Sequence, residues 1–505
     1  MISLHLTAAI RAAEQAHAVE LRSGILMDRA AHGLYQAVVE LMTAARGGIV
    51  GARVLVLVGA GNNGGDALYA GAKLARRGAR VDAISATQQP HPGGAAALLD
   101  AGGQVMTWPS GAPQQLFLDA EVLLDGLLGI GARGELREPI ADIARAARQS
   151  QALVVAVDVP SGLDADTGWC ASDTLFADQT ITFGGLKPGL VVLPGKQFAG
   201  GVRVIDIGIG AALDSCGSCL EADDVAQWVP EPTLADYKYR RGVVGLVAGS
   251  PRYPGAAFLT TAAASAADIG MVEYLDRADG LAPQVIAAHP PVVMTSADPA
   301  SNERIDAWAI GPGFSGDEGD AQALAAILRC PVPVVIDAGA LAVLAQESEL
   351  RDAVRSRLHA TVLTPHEGEF ARLCSAPIAH GRIAAARELA ESLQSTVVLK
   401  GSGTVIAGPD DSLFIDLHGP AALGTAGSGD VLTGVLGALM AGAAARSSSR
   451  VSSAHAAEIA AAACWLHSAA GRLASLDGRP VTAVQLINAL PGAVSSVRRP
   501  ARMSL

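Results

Sequence analysis

Short runs of aliphatic and β-branched residues recur along the chain, each followed by a glycine-rich loop and then by apolar residues at helical spacing. Residues 3–46 read as helical and stop at Gly47-Gly48. The run Arg-Val-Leu-Val-Leu-Val at 53–58 predicts a strand leading into the loop Gly59-Ala-Gly-Asn-Asn-Gly-Gly65. A helix is predicted from Asp66 to Arg77, closed by Gly78, and a second strand at 80–85. Strand, glycine turn, helix, strand is a βαβ unit and predicts a parallel sheet. Further strands are expected at 121–125, 153–158, 179–183 and 202–207, and a helix at 138–149.

Small residues, Pro230 and Pro232 interrupt the pattern at 208–236, after which it restarts. A strand at 243–248 ends in Gly249-Ser250, and Pro254-Gly255 opens an alanine-rich helix. Strands follow at 305–310, 332–337, 361–364 and 396–399, then a hairpin at 403–407 and 412–416. The end, 426–496, is alanine-rich and helical, with Ser447-Ser-Ser449 as a helix–helix loop. The expected fold is α/β with two doubly wound domains, at 1–215 and 235–500, joined by a linker at 216–234. No repeat of solenoid period is visible.

Composition narrows the function. A chain of 505 residues is too long for one ordinary domain. With 50% apolar and 17% charged residues it can bury large cores, which excludes a disordered protein. Lys+Arg 37 against Asp+Glu 49 leaves −12, and aromatics are 4%. Neither nucleic acid nor a membrane surface is therefore expected as a partner. The opening stretch carries Arg11 and Glu14 and has no apolar signal core, so a cytoplasmic protein is expected. The apolar run Val431–Ala445 is too short for a membrane span. Cys216 and Cys219 form the one CxxC, with no second ligand pair nearby for zinc; they read as loop thiols or a redox pair.

The loop Gly59–Gly64 formally matches G-x-G-x-x-G, with Asp82 about 20 residues on, which allows a dinucleotide-binding dehydrogenase. Asn62, Asn63 and Asp66 add something different. Backbone N–H groups there can hold phosphate, while amide and carboxylate oxygens can hold a hard cation. Two other strand-end loops carry matching groups, Asp125-Gly-Leu-Leu-Gly-Ile-Gly131 and Asp158-Val-Pro-Ser-Gly162. Strand ends of a parallel sheet converge on one crevice, so Asn63, Asp125 and Ser161 could share one monovalent cation. Each strand-end Asp taken singly could instead cap a helix.

The combination NNGGD, DGLLGIG, DVPSG and FGGLKPGL (183–190) resembles the NAD(P)H-hydrate epimerase family over about 1–215. The resemblance implies that Asn62, Asn63, Gly64, Gly65 and Asp66, with Gly129, Ile130, Gly131, Ala132, Arg133, Gly134 and Glu135, hold the hydrated nucleotide. It implies that Asn63, Asp125 and Ser161 ligate K+. Asp158 would contact the substrate and transfer the proton, with Lys187 assisting. Ala67 stands where many members have glycine.

In the second half, Gly424-Thr-Ala-Gly-Ser-Gly-Asp430 precedes an apolar helix. Such a turn aims backbone N–H groups at one spot, and Asp430 in the first helical turn faces it. The N–H groups can stabilise a transferring phosphoryl group while the carboxylate accepts a hydroxyl proton; the plainer alternative is capping by Asp430. Lys400-Gly-Ser-Gly-Thr404 offers glycines, hydroxyls and a cation to an adenine nucleotide, and Thr364-Pro-His-Glu-Gly-Glu369 puts His366 and Glu367 at a strand end. No Walker A motif is present, so this is not a P-loop enzyme.

TPHEGEFARL, KGSGT, GTAGSGD, GSPRYPGAA (249–257) and Gly311-Pro-Gly313 together resemble the ADP-dependent (S)-NAD(P)H-hydrate dehydratase branch of the ribokinase-like superfamily, over about 235–495. This implies that Ala256, Gly313, His366 and Asp430 line the hydrated dinucleotide. Lys400, Gly401, Ser402, Gly403, Thr404 and Gly429 would hold ADP (or ATP), with Mg2+. Arg240-Arg241-Gly242 replaces the His-Lys-Gly of many members and keeps the positive charge. The expectation is thus a bifunctional nicotinamide-nucleotide repair enzyme acting on hydrated NADH and NADPH, and a homo-oligomer. A ribokinase-like small-molecule kinase, a non-enzymatic dinucleotide sensor and a dehydrogenase are the competing readings.

Overall fold

Strand β1 (Arg53–Val58) explains its own continuous apolar run. Val54, Val56 and Val58 pack in one core cluster with Leu34 and Leu68, while Leu55 and Leu57 pack in another with Phe117 and Ile143. A strand covered on both faces by helices keeps no polar alternation. The computed structural model describes residues 1–108, 114–277, 280–295, 298–379, 381–447 and 450–498. The chain divides into two units, Ser3–Cys216 and Met1–Ile2 with Gly217 onward.

The first unit holds β1, β2 (Arg80–Ser85), β3 (Gln104–Thr107), β4 (Val122–Gly126), β5 (Leu153–Val157), β6 (Gln179–Phe183) and β7 (Gly201–Ile205) in the order β3-β2-β1-β4-β5-β6-β7. Every neighbouring pair is parallel. The chain runs outward from β1 to β3, then returns to the other side of β1. That reversal opens a crevice at the carboxyl ends of β1 and β4. Leu57 of β1 is in register with Asp125 of β4, so the Gly59 loop and the Asp125 loop emerge side by side.

Two expectations differ here. The helix at 3–46 is three helices, Thr7–Ala16, Ala18–Arg22 and α1 (Ile25–Arg46). Gly24, at φ +79°, supplies the left-handed turn that starts α1. Helix α2 spans Asn62–Arg76, beginning at Asn62 rather than Asp66. The two asparagines are therefore the first helical turn, not loop.

The second unit holds β8 (Gly217–Cys219), β9 (Val243–Val247), β10 (Met271–Tyr274), β11 (Val293–Met294), β12 (Ala307–Ile310), β13 (Val334–Ile336), β14 (Thr361–Leu363), β15 (Thr396–Leu399), β16 (Thr404–Ala407) and β17 (Leu413–Asp416). Their order is β8-β17-β16-β15-β14-β13-β12-β9-β10-β11. Pairs from β11 to β15 are parallel; β15, β16 and β17 pair antiparallel, as the expected hairpin requires. The stretch 216–234 carries β8, which pairs with β17, and the helix Ala222–Ala226. Cys219 is buried on β8, and Cys216 is half-buried.

Helix α3 (Ser428–Arg446) is apolar all round because it is enclosed all round. A side chain at Gly434 would place its Cβ 2.3 Å from the carbonyl oxygen of Thr260, and one at Gly437 would lie 2.9 Å from the Ala309 methyl. These glycines let α3 sit against both helix Pro254–Ala266 and the sheet. Among the described residues α3 is the one helix long and apolar enough to cross a membrane, and most of it is buried in this core. Ser448 and Ser449 of the expected loop lie outside the described residues.

Candidate active sites

Crowding at the end of β1 dictates glycine. A Cβ at Gly59 would lie 1.8 Å from the Leu127 carbonyl oxygen, and one at Gly64 would lie 2.4 Å from the Gly59 carbonyl oxygen. The first turn of α2 can therefore press against the Asp125 loop. Beside it lies a cavity of about 920 Å³, lined by Asn62, Asn63, Asp66, Gly129–Ala132 and Asp158. Gly64 and Gly65 are buried in α2 beneath it. Arg133 is turned to Asp164 at 3.1 Å and Asp166 at 2.7 Å. Glu135 accepts from the Ser172 backbone and hydroxyl, and Gly134 is a left-handed turn at φ +74°.

Asp158 follows β5 at φ +66°, a conformation that non-glycine residues hold only when their surroundings enforce it. The enforcement is visible. Its Oδ1 accepts from Lys187 Nζ at 2.6 Å, Thr182 Oγ1 at 3.0 Å and the Phe183 N–H at 3.1 Å. Lys187 is fully buried and also donates to Thr182 Oγ1 and the Phe183 carbonyl. All three of its N–H bonds are thus committed, and it stands behind Asp158 rather than in the cavity. The sequence pointed to Lys187 but not to Thr182, whose inward hydroxyl on a strand carries no distinctive pattern.

Asn63, Asp125 and Ser161 do come together. Asp125 is fully buried and accepts from the Ser161 N–H at 2.7 Å, the Ser161 hydroxyl at 2.6 Å and the Leu127 N–H at 3.3 Å. Asn63 Nδ2 donates to the Leu128 carbonyl at 2.8 Å, and the Leu128 N–H donates to Ser161 Oγ at 3.0 Å. Burial pushes the Asp125 carboxyl up to about 6, against the pull of the three hydrogen bonds. All of its hydrogen-bond donors are neutral. Among the described residues no group of three His, Cys, Asp or Glu side chains is placed to hold a metal ion. This set is instead one carboxylate with amide, hydroxyl and backbone oxygens.

The second unit assembles its site at the N-terminus of α3. Gly427, at φ +84°, turns the chain into the helix, and Asp430 lies in the first turn. Burial first, then the negative charge of Asp337, push the Asp430 carboxyl up to about 6; Lys400 opposes. Beneath the turn, Lys400 Nζ lies 2.7 Å from Asp337 Oδ1 and 3.6 Å from Glu369 Oε2. Thr433 donates to Asp337 Oδ2 at 2.5 Å. Burial would raise Asp337, but the Lys400 charge and hydrogen bonds outweigh it and hold the carboxyl below its ordinary value. A Cβ at Gly429 would stand 3.6 Å from Lys400 Nζ, so glycine keeps this ion pair under the helix end.

Gly401 and Ser402 are exposed, Gly403 is buried, and Thr404 donates to the Gly401 carbonyl, shaping the loop. The Gly249 N–H donates to the Pro312 carbonyl, and a Cβ at Gly313 would lie 2.8 Å from the Ala256 methyl, so those two loops meet. His366 caps helix Glu367–Cys374 by accepting from the Gly368 and Glu369 N–H groups. Arg241 pairs with Asp268, and Arg240 with Asp236 at 3.6 Å. Asp337, Glu369 and Thr433 were not singled out from sequence. Asp337 ends its strand as Asp125 does, and that signal was available.

Residues 23–189 match the family model of the YjeF-related protein N-terminus, and residues 244–491 match that of NAD(P)H-hydrate dehydratase. The bifunctional NAD(P)H-hydrate repair enzyme Nnr of Mycobacterium tuberculosis is 44% identical over 434 residues, 86% of this chain and 88% of that protein. The enzyme of the same name from Escherichia coli is 34% identical over 76% of each chain. Among solved structures, an ADP/ATP-dependent NAD(P)H-hydrate dehydratase from Bacillus subtilis, co-crystallised with ATP and Mg2+, aligns at TM-score 0.48 and 28% identity, covering 56% of this chain and 99% of that one. With each α/β unit matched by its own family model and the relatives aligned across both, the chain belongs to the family of bifunctional NAD(P)H-hydrate repair enzymes.

Proposed function

We propose a division of labour in which the first unit, about 1–215, interconverts the R and S hydrates of NADH and NADPH. The second, about 235–500, removes water from the S hydrate at the expense of ADP or ATP, and 216–234 joins them. The observation that carries the reading is Asp430, set in the first turn of a buried helix over the Lys400–Asp337 ion pair. The helix N-terminus and Lys400 supply positive potential where phosphate oxygens would lie. The loop Lys400–Thr404 and Gly429 hold the nucleotide, which brings Mg2+. Ala256, Gly313 and His366 border the hydrated ring. Asp430 takes the proton of the C6 hydroxyl as its oxygen bonds to the terminal phosphorus of ADP or ATP, and the bond from that phosphorus to the bridging oxygen breaks with release of AMP or ADP. Loss of phosphate from C6 with a proton from C5 then restores the dihydropyridine.

In the first unit Asn62 to Asp66 and Gly129 to Glu135 hold the nucleotide, and Asp158 moves the proton with Lys187 positioning it. Asn63, Asp125 and Ser161 suit K+: a fully buried carboxylate with only neutral donors gains most from a weakly hydrated cation. When bound, K+ would fix the Leu127–Gly129 turn against α2. We place the protein in the cytoplasm, as a homo-oligomer.

The test incubates the full chain with mixed hydrate epimers, ADP and Mg2+, following recovery of the reduced cofactor's absorbance. Recovery beyond the S fraction, faster than spontaneous epimerisation, is expected. Asp430→Ala abolishes all recovery, and Asp158→Ala leaves only the S fraction fast. ADP-dependent recovery that survives Asp430→Ala overturns the assignment.

A further inference from the structure

The cavity that holds Asp158 contains two more carboxylates. Glu14 comes from helix Thr7–Ala16, one turn after Arg11, and Asp66 from α2. Among the described residues neither carboxylate has a hydrogen-bond or ion-pair partner. The charges facing Glu14 are Asp158, Lys187 and Arg11, and Asp66 is within electrostatic reach. Burial first, then Asp158, push the Glu14 carboxyl above its ordinary value, so it holds a proton more readily than a surface glutamate.

Epimerisation at C6 moves a hydroxyl from one face of the ring to the other. The C6–O bond breaks with its electron pair on oxygen, a proton from an acid makes that oxygen water, and the N1 lone pair forms C6=N1+. Water then bonds to C6 from the opposite face and gives a proton to a base. The ring keeps its oxidation level throughout. The two oxygens lie on opposite faces, so one carboxylate held in place cannot serve both. Asp158 is held by Lys187, Thr182 and the Phe183 N–H and can serve one face. Asp66 is the more deeply buried of the other two and sits on the nucleotide-binding turn; Glu14 stands on a separate helix and is half-buried.

We propose that Glu14 is the second acid–base residue of the epimerase, serving the ring face opposite Asp158. This rests on the epimerase reading of the first unit. The test uses the full chain without ADP in H2(18)O, with one purified epimer, following the epimer ratio and the label in each epimer. Wild type labels both epimers as it interconverts them. Glu14→Gln is expected to slow interconversion by about 100-fold or more. It should still exchange the hydroxyl of one epimer with solvent, with retention, because Asp158 serves that face unaided. The first unit of Glu14→Gln melts at the wild-type temperature, which shows that this unit is folded, and ADP-dependent turnover of the S hydrate by the second unit is unchanged.

Interconversion at the wild-type rate in Glu14→Gln overturns the proposal. So does a parallel fall of exchange and interconversion, which marks a merely structural role. Exchange without interconversion in Asp66→Asn but not in Glu14→Gln moves the role to Asp66. If wild type itself neither exchanges nor interconverts above the spontaneous rate, it is the epimerase reading that fails.

Discussion

Asp430 shows what burying a carboxylate costs. Burial, then the negative charge of Asp337, push its carboxyl up to about 6 from the 3.8 of an exposed Asp, so folding favours its protonated form. A raised carboxylate is fully stabilising below about pH 4, and that contribution is lost as pH rises through about 6. Asp430→Asn is expected to raise the melting temperature of the second unit at pH 8, by an amount equivalent to about 1–3 kcal/mol, and to leave it unchanged near pH 4. The same variant loses dehydratase turnover by roughly 100-fold or more. In wild type, kcat/KM for the S hydrate is expected to fall as pH drops below about 6, because Asp430, as the proposed base, must be ionised. Lys187 is the opposite case. Lys187→Met leaves Asp158 buried without its cation and should destabilise the first unit by about 3–5 kcal/mol in denaturant titrations, abolishing epimerisation while ADP-dependent dehydration survives. The proposed potassium site at Asp125 makes a prediction that joins pH to the cation. Its carboxyl ionises above about 6, so K+ in place of choline should raise the first unit's melting temperature at pH 8 and hardly at pH 5. Residues such as Asp430 and Asp125 were legible because carboxylates beside glycines at strand or helix ends are chemically conspicuous. Thr182 and Thr433 were not, since a hydroxyl on an inward face reads as filler until its partner is placed.

At the scale of elements, legibility followed burial. Strands covered on both faces, such as β1 and β12, appear as unbroken apolar runs. Edge strand β3 is half-exposed and carries the mixed sequence Gln-Val-Met-Thr, so no run marks it. β10 is missed for another reason: Met-Val-Glu-Tyr buries Glu273, whose carboxylate accepts from Asn302, and a buried ion-forming residue breaks the apolar signal. The early start of α2 at Asn62 was hidden because two glycines follow directly, and glycine argues against helix unless close packing demands it. Close packing also governs α3. Gly434→Ala drives a methyl into the Thr260 carbonyl and should cost roughly 1–3 kcal/mol. Calorimetry would show the second unit melting lower while the first is unmoved.

At the scale of the molecule, each unit has its own core and carries one of the two proposed catalytic carboxylates. Asp158→Ala and Asp430→Asn should therefore fail in different ways. The first stalls after the S hydrate is consumed, the second never recovers cofactor, and an equimolar mixture of the two proteins restores full recovery of both epimers. Failure of the mixture would mean that the substrate must pass between the sites of one chain.

Helix α3 is walled in on every side, and its first turn carries Asp430. As the proposed base, Asp430 is carried by a helix packed too closely to swing aside for a nucleotide. Under the proposed assignment, any movement that admits or releases the nucleotide falls to the exposed Gly401 and Ser402, leaving the helix to keep its aim from one turnover to the next.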